Sequence, residues 1–300
     1  MSQLHTSVLL NEVIDALGIR PGMTIVDCTS GYGGHLGAMA ECLQGDGSIL
    51  AIDRDGDALE HCQEHTNYEG INMHWERENY SQILSLCAKN GIKKIDCLLV
   101  DCGLSSPQLD NTERGFSFRF EAPLDMRMDQ RQEFMVRDYL QNVNQADLET
   151  CIRELGEERF AGRIARCIKE AIDLRVIQNS KDLSDVIFNA VPSNYKHGRI
   201  HPSTRTFQAL RIKVNAELES LQELLNDAST LMGDDSRMAA ISFHSLEDRI
   251  LKNTFLDFQR ADLGKRITRK PIRPSEEEIL ANKRSRSAKL RVFEFHSKTK

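Results

Sequence analysis

The chain has 300 residues, 40% hydrophobic and 28% charged, a composition that excludes a fibrous or disordered protein and suits two domains or one large α/β domain with an insertion. No apolar run approaches the roughly 18 residues of a membrane span. The opening MSQLHTSVLLNEVIDALG also lacks the basic flank, apolar core and cleavage site of a signal peptide, so a cytoplasmic protein is expected. The net charge of −6 hides a segregation: from Arg260 to Lys300 there are 13 Lys and Arg against 5 Asp and Glu, which leaves that stretch at +8 and the remainder at −14. An acidic body with a basic tail points to a polyanionic partner.

In chain order, short apolar segments over 24–27, 48–53, 72–76 and 95–101 are expected to be buried parallel strands. Amphipathic stretches near 34–43, 55–66 and 80–90 are the intervening helices. From about 136 to 225 the pattern is charged amphipathic helix with almost no strand character. Strand character returns over 238–243 (MAAISF) and 289–296 (KLRVFEFH), the latter an alternating segment suited to a sheet edge. The expected organisation is a mostly parallel α/β domain over 1–110, an inserted all-helical domain over 111–215, and completion of the α/β domain over 216–300. The eight cysteines form no CxxC pair and are expected to be reduced core residues; no metal site is expected.

Three segments carry chemistry. In IVDCTSGYGGHLGAMA, a strand ending in Asp27 runs through Gly31, Gly33 and Gly34 into a helix, where glycines allow close backbone approach and the helix start offers free N–H groups. A dinucleotide fingerprint needs a third glycine where Leu36 stands. The spacing is closer to the first loop of S-adenosylmethionine-dependent methyltransferases, with a plain structural turn as the alternative. In ILAIDRD the strand ends in Asp53, placed to accept hydrogen bonds from a ribose; a helix N-cap is the other reading, and Asp55 suits that better. In DCLLVDCGLSSPQLD the fourth strand delivers Asp101 to the carboxyl edge of the sheet, where ligands bind in open α/β folds. Ser105-Ser106-Pro107 stands where many amino-group methyltransferases have a D/N/S-P-P-Y/F tetrapeptide.

The blocks RGFSFRFEAPLDMRMD, HPSTRTFQALRIKVNAEL, ISFHSLEDRILK and RSRSAKLR, with the opening HTSVLLNE, resemble the bacterial 16S ribosomal RNA cytosine-N4 methyltransferase family, RsmH or MraW. They are long and spread over nearly the whole chain. Leu36, Cys102 and Ser203 depart from the family pattern. The resemblance implies a Rossmann-like S-adenosylmethionine methyltransferase domain and an inserted helical substrate-recognition domain. The implied reaction is methylation of the exocyclic N4 of a cytidine in the decoding region of small-subunit RNA. It implies cofactor contacts from Gly33, Gly34, His35, Asp53, Tyr80, Asp101 and Gln108, with Asp101 also the candidate catalytic acceptor.

Substrate candidates are Ser105, Ser106, Arg114, Phe116, Phe118, Arg127, His201, Arg205, His244, Arg284 and Arg286. For the phenylalanines the bland alternative is core packing, and for His244 it is a satisfied structural histidine. Arg199, Arg211, Lys213, Lys289 and Arg291 join His201, Arg205, Arg284 and Arg286 as candidate phosphate ligands, with surface charge paired to local Asp and Glu as the alternative. The expected partner is the small ribosomal subunit or its 16S rRNA, with neither membrane nor DNA; a homodimer stays open. Two rival classes are a nicotinamide-dependent oxidoreductase, disfavoured by Leu36, and a non-catalytic ribosome-assembly factor.

Overall fold

The computed structural model describes residues 7–65 and 68–296. The helix end expected at Thr66 and the first residues of the opening block, His5 and Thr6, lie outside the described residues. The chain divides into two compact units, one combining residues up to Gly103 with those from Leu218 onward, the other Leu104–Glu217.

The first unit opens with α1 (Leu10–Leu17), β1 (Thr24–Asp27), α2 (Gly34–Leu43), β2 (Gly47–Ile52), α3 (Gly56–His65), β3 (Ile71–Glu76), a 3₁₀ turn at Tyr80–Gln82, α4 (Ile83–Lys89) and β4 (Ile95–Asp101). The second unit is helical: α5 (Ser106–Asp110), α6 (Val136–Asn142), α7 (Gln145–Gly156), α8 (Ala161–Asp173), α9 (Ser180–Ala190), α10 (Ser193–Lys196) and α11 (Ser203–Asn215). The chain then returns through α12 (Glu217–Ala228), β5 (Met232–Ser242), α13 (Ser245–Arg260), β6 (Gly264–Arg266), α14 (Glu276–Ala281) and β7 (Lys289–Phe295).

The sheet has the order β3-β2-β1-β4-β5-β7-β6. β1 is parallel to β2 and β4, β4 is parallel to β5, and β7 is antiparallel to both its neighbours. The parallel strands are apolar because helices cover both faces: in β4, Ile95, Cys97, Leu98, Leu99 and Val100 are all buried. One apolar cluster gathers Leu98, Val100, Leu224 and Phe255, and another gathers Ile25, Leu36, Met39 and Leu99. The strand order reverses between β1 and β4, so the crevice at their carboxyl ends is the ligand position this topology dictates.

The segment expected at the sheet edge is not there. β7 lies between β5 and the three-residue β6, which takes the edge. Its charged residues are matched by neighbouring elements: Arg291 and Lys289 bind Asp248 of α13, and Glu294 binds Arg237 of β5 and Lys265 of β6.

In the helical unit, α8 buries Ala161, Ile164, Ala165, Ile168 and Ala171, the 3–4 spacing of one apolar face. These residues join Leu148, Ile152, Leu183, Ile187 and Leu210 in one core. Gly156, closing α7, meets α11 so closely that a Cβ there would lie 2.6 Å from the Arg205 carbonyl oxygen. No disulfide forms: the cysteines are free, with Cys28, Cys62, Cys87, Cys97 and Cys151 buried. No described helix is long and apolar enough to cross a membrane.

Candidate active site

The carboxyl ends of β1, β2 and β4 present three carboxylates. Asp27 closes β1, Asp53 follows β2 and Asp101 closes β4. The loop after β1 is tied to both neighbouring strands: Cys28 N–H donates to the Leu99 carbonyl, Ser30 N–H to the Ile52 carbonyl, and Asp101 N–H to Thr29 Oγ1 at 2.7 Å. Gly31 and Gly33 then take positive φ angles of 50° and 87°, and α2 starts at Gly34 with Gly33 as an N-cap that makes no side-chain hydrogen bond. The amide groups of the first turn therefore face the crevice without a capping side chain. A Cβ on Gly34 would lie 1.9 Å from Ser7 Oγ, so any larger residue there makes Ser7 shift.

Asp27 is fully buried; its Oδ1 accepts from Thr29 N–H at 3.0 Å, and its Oδ2 has no hydrogen-bond partner among the described residues. Burial pushes its carboxyl up to about 7, the Thr29 N–H partly offsets this, and the Asp53 and Asp101 charges raise it further. Asp53 accepts from Gly31 N–H and Asp55 N–H, both at 2.8 Å. Burial raises Asp53 to about 6 despite those two bonds. His35, buried on α2, donates Nε2–H to the Val8 carbonyl at 3.0 Å, which leaves Nδ1 as an acceptor 3.9 Å from Asp101 Oδ2. Burial lowers His35 to about 4, so the ring is neutral at pH 7.

Two acceptors facing each other across 3.9 Å, beside a desolvated carboxylate with an unpartnered oxygen, form a site for a donor that carries positive charge. S-adenosylmethionine, with its ammonium and sulfonium, has that chemistry, and the residues present fit it. Asp27 was visible in the sequence as a strand-end acid but was left out of the expected cofactor set. Thr29, which fixes the Asp101 backbone, and Ser7, which sets the space at Gly34, were not singled out either.

Tyr80 starts the 3₁₀ turn with its ring buried and the Arg54 guanidinium 5.5 Å from the ring centroid. Gln108 lies in the helical unit, in α5, where its Oε1 accepts from Ser105 N–H at 3.0 Å while Ser105 Oγ accepts from Gln108 N–H. Gln108 and Ser105 thus form a reciprocal helix cap, and Ser106 is the first residue of α5.

Several residues expected to meet RNA make contacts within the fold. Arg114 is buried and donates Nη2 to the Arg127 and Met128 carbonyls. Arg127 grips Asp125 through Nε and Nη2, both at 2.7 Å, and reaches the Gln132 carbonyl with Nη1. Phe116 is core. His244 N-caps α13, with Nδ1 accepting from Glu247 N–H and Nε2 3.0 Å from Glu247 Oε1. Arg211 forms a two-nitrogen pair with Glu217, and Lys289 and Arg291 share Asp248. Arg205 donates Nη1 to the Glu157 carbonyl. Arg284 and Arg286 sit exposed in the 3₁₀ turn Lys283–Ser287. Phe118 and His201, distant in sequence, stack with ring centroids 4.7 Å apart.

A family profile described as the MraW methylase family matches residues 2–296. The chain belongs to the MraW methylase family. Its relatives include the "Ribosomal RNA small subunit methyltransferase H" of Clostridioides difficile, 42% identical with 97% of this chain and 98% of the relative covered. Those of the same name from Brevibacillus brevis (40% identical, 97% of each chain) and Citrifermentans bemidjiense (42%, covering 97% of this chain and 98% of the relative) are similar over the same extent. The protein is thus a methyltransferase, and the MraW sheet carries its carboxylate crevice at the β1/β4 switch point.

Proposed function

We infer that the protein is an S-adenosylmethionine-dependent methyltransferase acting on the exocyclic N4 of a cytidine in the decoding region of 16S ribosomal RNA. Its partner is the small ribosomal subunit or that RNA, which puts its work in the cytoplasm. The observation that carries the reading is the crevice of Asp27, Asp53 and Asp101, with the unpartnered Asp27 Oδ2 beside the glycine turn.

The cofactor supplies an electrophilic methyl group with a good leaving group already attached. Gly33, Gly34 and His35 would hold its methionine end, with the α2 amides suited to a carboxylate and His35 Nδ1 with Asp101 suited to an ammonium. Asp53 accepts from the ribose hydroxyls through lone pairs that its two backbone donors leave open. Tyr80 would border the adenine.

Cytosine N4 is a weak nucleophile because its lone pair is delocalised into the ring, so the protein's contribution is alignment and acceptors for the amine hydrogens. Asp101, at the end of β4, is the candidate acceptor, with cofactor binding as its main role. The neutral His35 ring holds the Val8 carbonyl and carries no proton to the reaction. The target base leaves its stack to reach such a crevice.

The test is incubation with methyl-labelled S-adenosylmethionine and small subunits lacking the modification, followed by nucleoside mass spectrometry. Label is expected as N4-methylcytidine. Label in another nucleoside, or none despite demonstrable cofactor binding, would overturn the assignment.

A further inference from the structure

The helical unit holds a cleft of about 480 Å³ lined by Phe118, Arg119, Lys181, Asp185, Arg199 and His201, among others. Its size falls in the range of roughly 300–1,000 Å³ that suits nucleotide-sized ligands. None of these residues belongs to the carboxylate crevice.

The walls are built rather than incidental. Ser180, at the start of α9, donates Oγ–H to the Phe120 carbonyl at 2.8 Å, and its own N–H reaches the Ala122 carbonyl, so the loop carrying Phe118 and Arg119 is stapled to the helix carrying Lys181. His201 lies between the near-parallel rings of Phe118 and Phe188, at 4.7 and 5.8 Å with interplanar angles of 19° and 21°. Its Nδ1 accepts from Ser203 N–H at 3.2 Å, which leaves the proton of the neutral ring on Nε2. Burial keeps this imidazole below its usual value, so the neutral form holds at pH 7.

The charge is one-sided. Lys181 Nζ binds both Asp185 oxygens, at 2.7 and 2.8 Å, and that pair is neutral. Arg119 and Arg199 are exposed, and neither guanidinium has a partner among the described residues. Phe120, next to Arg119 in the chain, is 48% exposed. Two uncommitted guanidinium groups, a neutral imidazole donor and an exposed ring together match a phosphate with an unstacked base attached. An acidic peptide would satisfy the arginines but gives the flat rings nothing to receive.

We propose that this cleft binds an unpaired nucleotide of the substrate RNA other than the one methylated, with its phosphate on Arg119 and Arg199 and its base against Phe120 and the edge of the Phe118–His201 stack. The proposal rests on the RNA reading above and adds a second anchoring point to it.

The test is fluorescence anisotropy of a labelled single-stranded RNA pentanucleotide with the full chain, across a salt series, for wild type, Arg119→Ala, Arg199→Ala and Phe120→Ala. Each arginine variant is expected to weaken binding about 3- to 10-fold and to reduce the slope of log affinity against log salt by about one. Phe120→Ala is expected to weaken binding with the slope unchanged, because stacking carries no counterion release. Unchanged affinity and slope in the arginine variants overturns the proposal, as does a glutamate-rich peptide that binds more tightly than RNA and competes with it at the cleft. Wild-type methylation of undermethylated small subunits, measured in parallel, separates the two readings. If it occurs while the variants bind normally, only the cleft assignment fails; if it is absent while the variants lose binding, the cleft stands and the methylation assignment fails.

Discussion

At the scale of single residues, the proposed function comes down to how three carboxylates are kept at one sheet edge. Because Asp27 ionises in the fold only near pH 7, against about 4 in an unfolded chain, folding favours its neutral form. Its cost is therefore absent below about pH 4, grows as pH rises through the gap between those values, and is complete above 7. Asp27→Asn is expected to stabilise the ligand-free protein by about 2–4 kcal/mol at pH 8 and by little at pH 4, read from urea denaturation at both values. A variant no more stable than wild type at pH 8 would contradict the assigned burial cost. The same ionisation should tie cofactor binding to pH: a cationic ligand prefers the charged forms of Asp27 and Asp53, so calorimetric Kd should fall from pH 5.5 to 8, and a flat profile would count against the site. Asp53→Ala is expected to weaken cofactor binding by about 1–3 kcal/mol through unpaired ribose and backbone donors; unchanged affinity would remove Asp53 from the site. The places of Asp53 and Asp101 at strand ends were legible in the sequence because the apolar runs before them mark the strands. The lone oxygen of Asp27 was not, since partnerlessness is set by what the fold brings near. Arg114 and Arg127 show the reverse difficulty: a guanidinium beside phenylalanines reads as an RNA ligand, and only the fold shows the carbonyl and carboxylate oxygens it meets.

At the scale of elements, β1 to β4 were legible almost to the residue, because a strand buried on both faces must be a short apolar run, whereas β5 starts at Met232, six residues before the expected 238. The helix α1 and the strand β6 were not anticipated: one is brief and the other only three residues. The β7 placement turned on ion pairs no periodicity encodes. Burial alone would raise the Asp248 carboxyl, yet hydrogen bonds from Arg291 and Lys289 hold it below its usual value. Ser203 is accommodated because its hydroxyl donates to the Ser184 carbonyl and lies 2.8 Å from Ser184 Oγ. At the start of α2 the glycine leaves space for Ser7. Gly34→Ala is expected to push the segment around Ser7 away and to lower cofactor affinity at least tenfold by calorimetry, with the unfolding midpoint changed less; wild-type affinity would show that Ser7 yields freely. In the helical unit, Ile164→Ala is expected to cost about 2–5 kcal/mol in denaturant unfolding, because the residue is fully buried at the centre of its core.

At the scale of the whole molecule, the sequence correctly shows an acidic body and a basic tail but not how the tail's charge is used. Part of it is structural: Lys265 binds Glu294, while Lys289 and Arg291 bind Asp248, with Arg291 buried. Lys283 and Arg286 are exposed in the turn before β7. The two sets should respond to different measurements. Removing Asp248 by Asp248→Asn strands the buried Arg291, and is expected to destabilise the fold by about 3 kcal/mol in urea unfolding. Removing Lys283 and Arg286 together should leave the unfolding midpoint in place while weakening binding to 16S RNA and lowering the salt slope by about two, one for each phosphate no longer neutralised. A tail whose free cations met no RNA would show no slope change in that double variant. RNA affinity in this molecule would then come from the helical unit alone, and the charge asymmetry of the chain would reduce to the pairing that holds β7 inside the sheet.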